Sequence, residues 1–86
     1  MHWDIVEVKA EADYYLFVRF KDGLSGRVRL DPREFTGVLA GLADVEFFNR
    51  VYIDDGAPAW PGDIDLAPGA LYREIADQRD RRQRAS

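Results

Sequence analysis

Apolar and polar residues alternate most regularly over residues 14–21, YYLFVRFK, and this alternation predicts a β-strand. One face of this strand would carry Tyr14, Leu16, Val18 and Phe20. The other face would carry Tyr15, Phe17, Arg19 and Lys21. Asp22-Gly23 follows, a dipeptide that tolerates the positive φ angles of a tight hairpin. Residues 24–30, LSGRVRL, predict the returning strand, with Leu24, Val28 and Leu30 facing the core and Arg27 and Arg29 facing solvent.

Three further segments have the composition of strands. Residues 3–9, WDIVEVK, predict a first strand that ends at the polar segment AEAD, and residues 50–54, RVYID, predict another. Asp55-Gly56 predicts a second hairpin turn into the short strand APAWP. Pro58 and Pro61 cannot donate hydrogen bonds to a β-ladder, so we expect that strand at a sheet edge.

The segment DPREFTGVLAGLAD, residues 31–44, has the spacing of a helix. Asp31 is suited to cap it and Pro32 to begin it. Its helically spaced apolar residues are Phe35, Val38, Leu39 and Leu42. Gly37 and Gly41 predict that this helix is short or irregular. Asp44 is placed to cap one more turn, VEFFN, that buries Phe47 or Phe48.

The segment AWPGDIDLAPGALY, residues 59–72, predicts a structural junction between a strand and the last helix. Trp60 ends the strand and packs in the core or at its rim. Pro68 disfavours helical geometry at Ala67, so the helix is expected to begin at Pro68 with Ala67 as a poor N-cap. The apolar stripe of this helix comprises Leu71, Tyr72, Ile75 and Ala76.

Together these elements predict an α+β fold: a small antiparallel sheet of about five strands, built from β-hairpins and packed against one C-terminal helix plus short helical turns. A chain of 86 residues has room for one core. We expect a single domain over residues 1–78, followed over residues 79–86 by a basic, charged tail or helix extension.

Charge is distributed unevenly along the chain. The formal net charge is -4, but residues 73–86 carry a net +2 from five arginines and three acidic residues, leaving −6 for the rest. An acidic body is repelled by phosphate backbones, so nucleic-acid binding is expected only through the arginine-rich tail. Neither a signal peptide nor a long apolar run is present and Cys is 0, so we expect a cytoplasmic protein without membrane association.

No catalytic constellation emerges from the sequence. His2 is the one histidine, and the serines are Ser25 and Ser86. The glycine-containing segments GLSG and GVLAG lack the spacing and the lysine of a phosphate loop. A nucleophile with its base cannot be assembled from these residues. The expectation is therefore a non-enzyme that needs no cofactor and no metal.

The leading site hypothesis is a protein interface on the solvent face of the hairpins. The aromatic candidates are Tyr15, Phe17 and Tyr52, and the arginines that would rim them are Arg19, Arg27 and Arg29. An apolar patch with such a rim is typical of a surface that binds another protein. Small sheets with open edges also pair with each other, so a homodimer is an alternative.

A second hypothesis is a small-ligand or divalent-metal sensing domain. It would use the acidic loops around Trp60, that is Asp54, Asp55, Asp63 and Asp65. Carboxylate oxygens suit Mg²⁺ or Ca²⁺, although the alternating pattern of a calcium loop is missing. We favour the simpler explanation, in which Asp55 forms a turn and Asp63 and Asp65 belong to the loop before a helix.

Three segments of the chain, in this order, resemble the bacterial family called Domain of Unknown Function 2442. They are WDIVEVKAEADYYLFVRFKDGLSGRVRLDP, LADVEFFNRVYID and AWPGDIDLAPGALY, together covering much of residues 1–72. The resemblance implies a small α+β domain that occurs alone or fused to a helix-turn-helix domain. Stand-alone members often sit beside a second small gene, which implies a small protein partner in a toxin–antitoxin-like pair. The resemblance supplies no catalytic residues, and the 86 residues contain no appended helix-turn-helix segment.

Overall fold

The computed structural model describes the backbone of residues 2–84 and the side chains of residues 2–81. It is an α+β fold, as predicted, with two three-stranded antiparallel sheets, short helices and a long C-terminal helix. The sequence indicated one sheet of about five strands. The strands instead number six in the described residues and divide between two sheets, which are joined where the Ile5 amide donates to the Gly56 carbonyl over 2.8 Å.

The first sheet has the order β1-β2-β3, with β1 at Ile5–Glu11, β2 at Tyr15–Phe20 and β3 at Ser25–Arg29. The predicted alternation is confirmed on β2, where Leu16, Val18 and Phe20 are buried and the residues between them are not. β1 starts and ends two residues later than predicted. Its last residue, Glu11, pairs with Tyr15 of β2, so the polar segment after Lys9 extends the strand.

A three-residue turn, Ala12–Tyr14, connects β1 to β2 in an unusual conformation. Asp13 and Tyr14 both have φ 66°, a region that side chains with a Cβ atom rarely occupy. The Tyr14 hydroxyl donates to the Ala43 carbonyl, and its ring packs edge-on against Phe35 and Phe48. These tertiary contacts offset the backbone strain and draw Tyr14 to the core side of the turn.

The second sheet has the order β4-β5-β6, with β4 at Tyr52–Asp54, β5 at Ala57–Trp60 and β6 at Ile64–Asp65. The Asp55-Gly56 hairpin is confirmed, with φ of 53° and 77°. The edge position predicted for the APAWP strand is wrong, because β5 is the central strand. The Pro58 carbonyl accepts from the Leu66 amide, one residue beyond the end of β6. Pro58 has no amide hydrogen to donate back to Leu66, but this pair lies beyond the end of the β5–β6 ladder. A proline is therefore tolerated in the central strand.

The segment after β3 forms two 3₁₀ helices, Pro32–Glu34 and Gly37–Ala43, rather than one α-helix. Leu39 and Leu42 are three residues apart and share the inner side of a helix with three residues per turn. Val38 falls outside that side and is 80% exposed, so its assignment to the apolar stripe was wrong.

Both predicted caps in this region are confirmed. The Asp31 carboxylate accepts from the Arg33 amide over 3.0 Å, and the Asp44 carboxylate accepts from the Glu46 amide at the start of α1, Val45–Phe48. Phe48 is buried and Phe47 is half-buried, so both phenylalanines of VEFF contribute to the core or its margin.

The C-terminal helix α2 spans Pro68–Arg84 and starts where the sequence placed it. Leu71 and Ile75 are buried, and Ile75 lies against β3 so closely that a Cβ atom added at Gly26 would be 2.9 Å from its Cγ2 atom. The predicted tail is helical through Arg84. Residues 85–86 of that tail lie outside the described residues.

The core is formed mainly by the inner face of the first sheet, β5, α1 and α2. Its largest fully buried side chains are Trp60, Phe20 and Phe48. The Trp60 indole donates to the Phe48 carbonyl over 2.9 Å, which ties β5 to the C-terminus of α1. In the described residues, no helix is long and apolar enough to cross a bilayer.

Candidate functional site: the outer face of the first sheet

The candidate site is the outer face of the first sheet, the face turned away from the core. Because side chains alternate between faces, the strand register places nine residues there in three rows across the sheet. The rows are Glu7–Arg19–Ser25, Lys9–Phe17–Arg27 and Glu11–Tyr15–Arg29. Every one of these side chains is exposed or half-buried.

Arg19 and Glu7 form the ion pair of the first row. The Arg19 Nε atom donates to Glu7 Oε1 over 3.0 Å, and its Nη2 atom lies 2.8 Å from the same oxygen. Lys9 approaches Glu7 Oε2 at 3.5 Å. The hydrogen bond from Arg19 lowers the pKa of the Glu7 carboxyl, so Glu7 stays ionised on this face.

Arg27 spans the sheet diagonally and covers Phe17. Its Nε atom donates to Glu11 Oε1 over 2.6 Å, and Nη2 reaches Glu11 Oε2 at 3.4 Å. Its guanidinium carbon stands 5.8 Å from the centroid of the Phe17 ring, within the range of a cation–π contact. The hydrogen bond to Glu11 raises the pKa of Arg27, which therefore remains a fixed cation above an aromatic ring.

Arg29 closes the third row against the strained turn. Its Nε atom donates to the Asp13 carbonyl over 3.2 Å, and Nη2 lies 3.8 Å from Asp13 Oδ1. The neighbouring Tyr15 ring is 37% exposed. The face thus presents an aromatic centre, Tyr15 and Phe17, framed by three guanidinium groups that are held in place by carboxylates or a carbonyl.

Arg27 and Arg19 project further into solvent than the carboxylates that hold them, whereas the side chain of Arg29 is 43% exposed and that of Asp13 is 74% exposed. The side chains of Arg27 and Arg19 are 61% and 50% exposed, whereas those of Glu11 and Glu7 are 33% and 32% exposed. At these first two pairs the outermost charged groups are therefore the guanidinium groups. Such a surface is suited to recognising a protein with complementary apolar and acidic groups.

A family model described as protein of unknown function (DUF2442) matches residues 5–77 of this chain. The chain belongs to the DUF2442 family. No curated protein and no solved structure matches it.

In this DUF2442 chain, the structure brings five of the six interface candidates together. Tyr15, Phe17, Arg19, Arg27 and Arg29 share the outer face of the first sheet. Tyr52 does not join them, because it lies on β4 in the second sheet, where it is 46% exposed. The sequence pattern assigned Tyr52 to the same face because both strands were expected in one sheet.

Sequence reasoning missed four members of the outer face: Ser25 on β3, and the three charged residues of β1, Glu7, Lys9 and Glu11. The two-residue spacing of the β1 residues is the signal that identifies them, since Glu7, Lys9 and Glu11 recur on alternate positions of one strand. The predicted strand ended at Lys9, which excluded Glu11, the residue that holds Arg27 over Phe17.

The residues proposed for a ligand or metal site do not form one cluster. Trp60 has 0% exposure, so its ring offers no surface to a ligand. Asp54 ends β4, Asp55 and Asp63 occupy turns with φ of 53° and 63°, and Asp65 ends β6. Within the described part of the chain, no group of three or more metal-ligating side chains is placed to hold an ion.

Proposed function

We propose that this chain is a non-catalytic protein-interaction module that binds a small protein partner through the outer face of the first sheet. The role would be that of an antitoxin-like or regulatory partner of a protein encoded next to it. The observation that carries the proposal is the pair of aromatic side chains, Tyr15 and Phe17, framed by Arg19, Arg27 and Arg29 on a solvent-facing sheet surface.

The composition of this face supports binding to a protein. Tyrosine and arginine are enriched among the residues that dominate protein–protein binding energy. The ion pairs from Arg19 to Glu7 and from Arg27 to Glu11 already fix the guanidinium groups, so less side-chain entropy is lost when a partner docks.

Co-purification with the product of the adjacent gene tests the proposal. The unmodified chain is expected to elute in a stoichiometric complex at moderate salt. Phe17→Ser and Tyr15→Ser remove the aromatic centre and are expected to weaken the complex by about tenfold or more, as loss of a hot-spot residue does.

Val38→Ser is the matched control, because Val38 is an 80% exposed apolar residue outside the outer face. It should leave the complex intact. Retention of the partner by both aromatic variants, or elution of the chain without a partner, would contradict the proposed function.

A further inference from the structure

The free edge of β3 presents a row of backbone groups that point away from the first sheet. Phe20 donates to the Leu24 carbonyl at one end of the β2–β3 ladder, and Leu30 donates to the Tyr14 carbonyl at the other, over 2.8 and 2.9 Å. Because hydrogen-bonded and non-hydrogen-bonded pairs alternate in an antiparallel ladder, Gly26 and Val28 bond to β2.

The intervening residues of β3, Ser25, Arg27 and Arg29, therefore direct their amide and carbonyl groups to the opposite side. Among the described residues, none of the backbone hydrogen bonds outside the ladders involves these three. Such an edge has the geometry to accept one further antiparallel or parallel strand.

A groove of about 390 Å³ runs along this edge between β3 and α2. It is lined by Tyr15, Ser25, Gly26, Arg27, Ile75, Gln78 and Arg79. One side of the groove is the edge strand and the other is the helix, an arrangement that would position an extended peptide against both. Ile75 is buried beneath the groove, while Gln78 and Arg79 line its helical side.

Charge selects the occupant of the groove. Arg27 and Arg79 line the groove and are exposed. The Arg27 guanidinium pairs with Glu11 across the sheet, so an occupant that engages Arg27 must displace that carboxylate. We propose that the free edge of β3 binds an extended, acidic segment of the partner protein as a fourth strand, with its carboxylates meeting Arg79 and replacing Glu11 on Arg27. This inference rests on the proposed function and specifies how the partner is recognised.

A second copy of the chain fits the same edge poorly in the register centred on Arg27. Antiparallel pairing of two β3 edges about a two-fold axis centred on Arg27 would place Arg27 directly opposite Arg27 of the other copy, with Ser25 opposite Arg29 on either side. Like charges directly opposite each other destabilise a strand pair. The arginines that repel a second copy attract an acidic strand.

Nucleic acid also fits less well than an acidic protein segment. The ring of Phe17 is covered by Arg27, and the carboxylates of Glu7 and Glu11 stand within the adjacent face. A nucleic-acid platform needs aromatic faces open to stacking and a backbone path without carboxylates.

Amide hydrogen exchange, followed residue by residue by NMR, tests the inference on the intact chain. In the free protein, the amides of Ser25, Arg27 and Arg29 should exchange much faster than those of Gly26 and Val28. The probe is a capped heptapeptide of alternating glutamate and threonine, added at millimolar concentration. At about ten times its Kd it should slow exchange at the three edge amides by about tenfold.

Two comparisons keep the test specific. A heptapeptide with lysine in place of glutamate should give no protection. The double variant Arg27→Glu and Arg79→Glu should reverse this preference, so that the lysine peptide protects the edge and the glutamate peptide does not. As a control, Arg73→Glu makes the same charge change on α2 as Arg79→Glu. Arg73 lines a different groove with His2 and Trp3, so this variant should keep the preference for the glutamate peptide.

Absence of protection at the three edge amides, or equal protection by both peptides, would overturn the inference. Stronger protection by an oligothymidylate would assign the edge to nucleic acid instead, and concentration-dependent protection in the free chain would assign it to a second copy. If the Phe17→Ser variant loses the co-purified partner while the acidic peptide fails to protect the edge, the proposed function stands and only the edge mechanism falls.

Discussion

The two sheets of this small domain bury their residues by different rules. In the first sheet, buried and solvent-facing side chains alternate along β2, so this strand has one face in the core and one face toward solvent. In the second sheet, all four residues of β5 are buried while all three residues of β4 are exposed. Burial there depends on the position of the strand in the sheet rather than on the parity of the residue.

This difference is matched by the residues that each sheet uses. β2 alternates large apolar residues with Tyr15, Phe17 and Arg19. β5 has the sequence APAW, in which two alanines and a proline allow close packing on both sides and Trp60 fills the core. A strand that is covered on both faces needs no alternation. The free outer face of the first sheet remains available for binding, whereas β5 is committed to stability.

The largest expected effect separates these two roles directly. Trp60→Ala should cost about 3–5 kcal/mol of unfolding free energy, because it empties a fully buried site and removes the shorter of the hydrogen bonds to the Phe48 carbonyl. Tyr15→Ala, on the outer face, should cost about 1 kcal/mol or less. Urea unfolding measures both.

If Trp60→Ala fails to fold, Trp60→Phe retains an aromatic ring and removes the indole donor, which should cost about 1–3 kcal/mol. Equal losses at Trp60 and Tyr15 would remove the distinction between a structural strand and a binding face.

Gly26→Ala probes where the first sheet meets α2. The new methyl group would lie 2.9 Å from Ile75 Cγ2, so the substitution should destabilise the fold by about 1–3 kcal/mol by overpacking. Without that neighbour, alanine in a strand would be favoured over glycine by about 0.5–1 kcal/mol.

A double-mutant cycle with Ile75→Ala distinguishes the two cases. In the Ile75→Ala background the added methyl group should become neutral or stabilising, giving a coupling energy of about 1 kcal/mol or more. Additive effects would mean that α2 does not press on β3.

Ala67→Asp tests the junction between the second sheet and α2. The Ala67 carbonyl accepts from the Leu71 amide over 3.4 Å, which makes Ala67 the N-cap residue. An aspartate cap should stabilise the fold by about 1 kcal/mol and raise Tm by about 4–8 °C. Ala67→Asn supplies the cap without the charge and should reproduce most of the gain. A lower Tm in both variants would contradict a helix start at Pro68.

The smallest effect is expected just after β3, where Arg33 holds Asp31. Hydrogen bonds from the Arg33 side chain and amide lower the pKa of Asp31 from 3.8 to about 2. A carboxyl whose pKa is depressed on folding contributes stability above its unfolded pKa and loses it as pH falls toward the folded value. Asp31 therefore stabilises the fold above pH 3.8, and this contribution disappears between pH 3.8 and about 2.

Asp31→Asn should show a shallower loss of stability across that interval when urea unfolding is repeated at several pH values. The effect is small because the side chain of Arg33 is 90% exposed and water screens the pair. Parallel pH profiles for the two proteins would show that Asp31 is not held by Arg33.

Much of the first sheet could be predicted because its signals are local. Alternation placed Leu16, Val18 and Phe20 in the core, Asp22-Gly23 fixed the hairpin between β2 and β3, and the same parity placed Arg27 and Arg29 on the outer face. Pro68 marked the start of α2 for an equally local reason, since its ring restricts the residue before it.

The second sheet could not be predicted as well, although its strands are consecutive in the chain, because β6 is only 2 residues long and gives no strand pattern. Pro58 indicated an edge strand, and only the length of β6 explains how a central strand tolerates it. Tyr52 was assigned to the binding face because nothing local shows which strands share a sheet. Glu11 was missed because its role requires Arg27, which is sixteen residues away.

The strained turn at Asp13 and Tyr14 acts as a register lock for the β1–β2 hairpin. Side chains in a strand alternate with a period of two, so a slip of one residue would turn Phe20 outward and Arg19 into the core. Tyr14 opposes the slip because Phe35 and Phe48 hold its ring and the Ala43 carbonyl holds its hydroxyl. After a slip, Tyr15 would have to take this place and adopt the same positive φ angle. One anchored tyrosine therefore helps to fix which side chains the sheet presents to solvent.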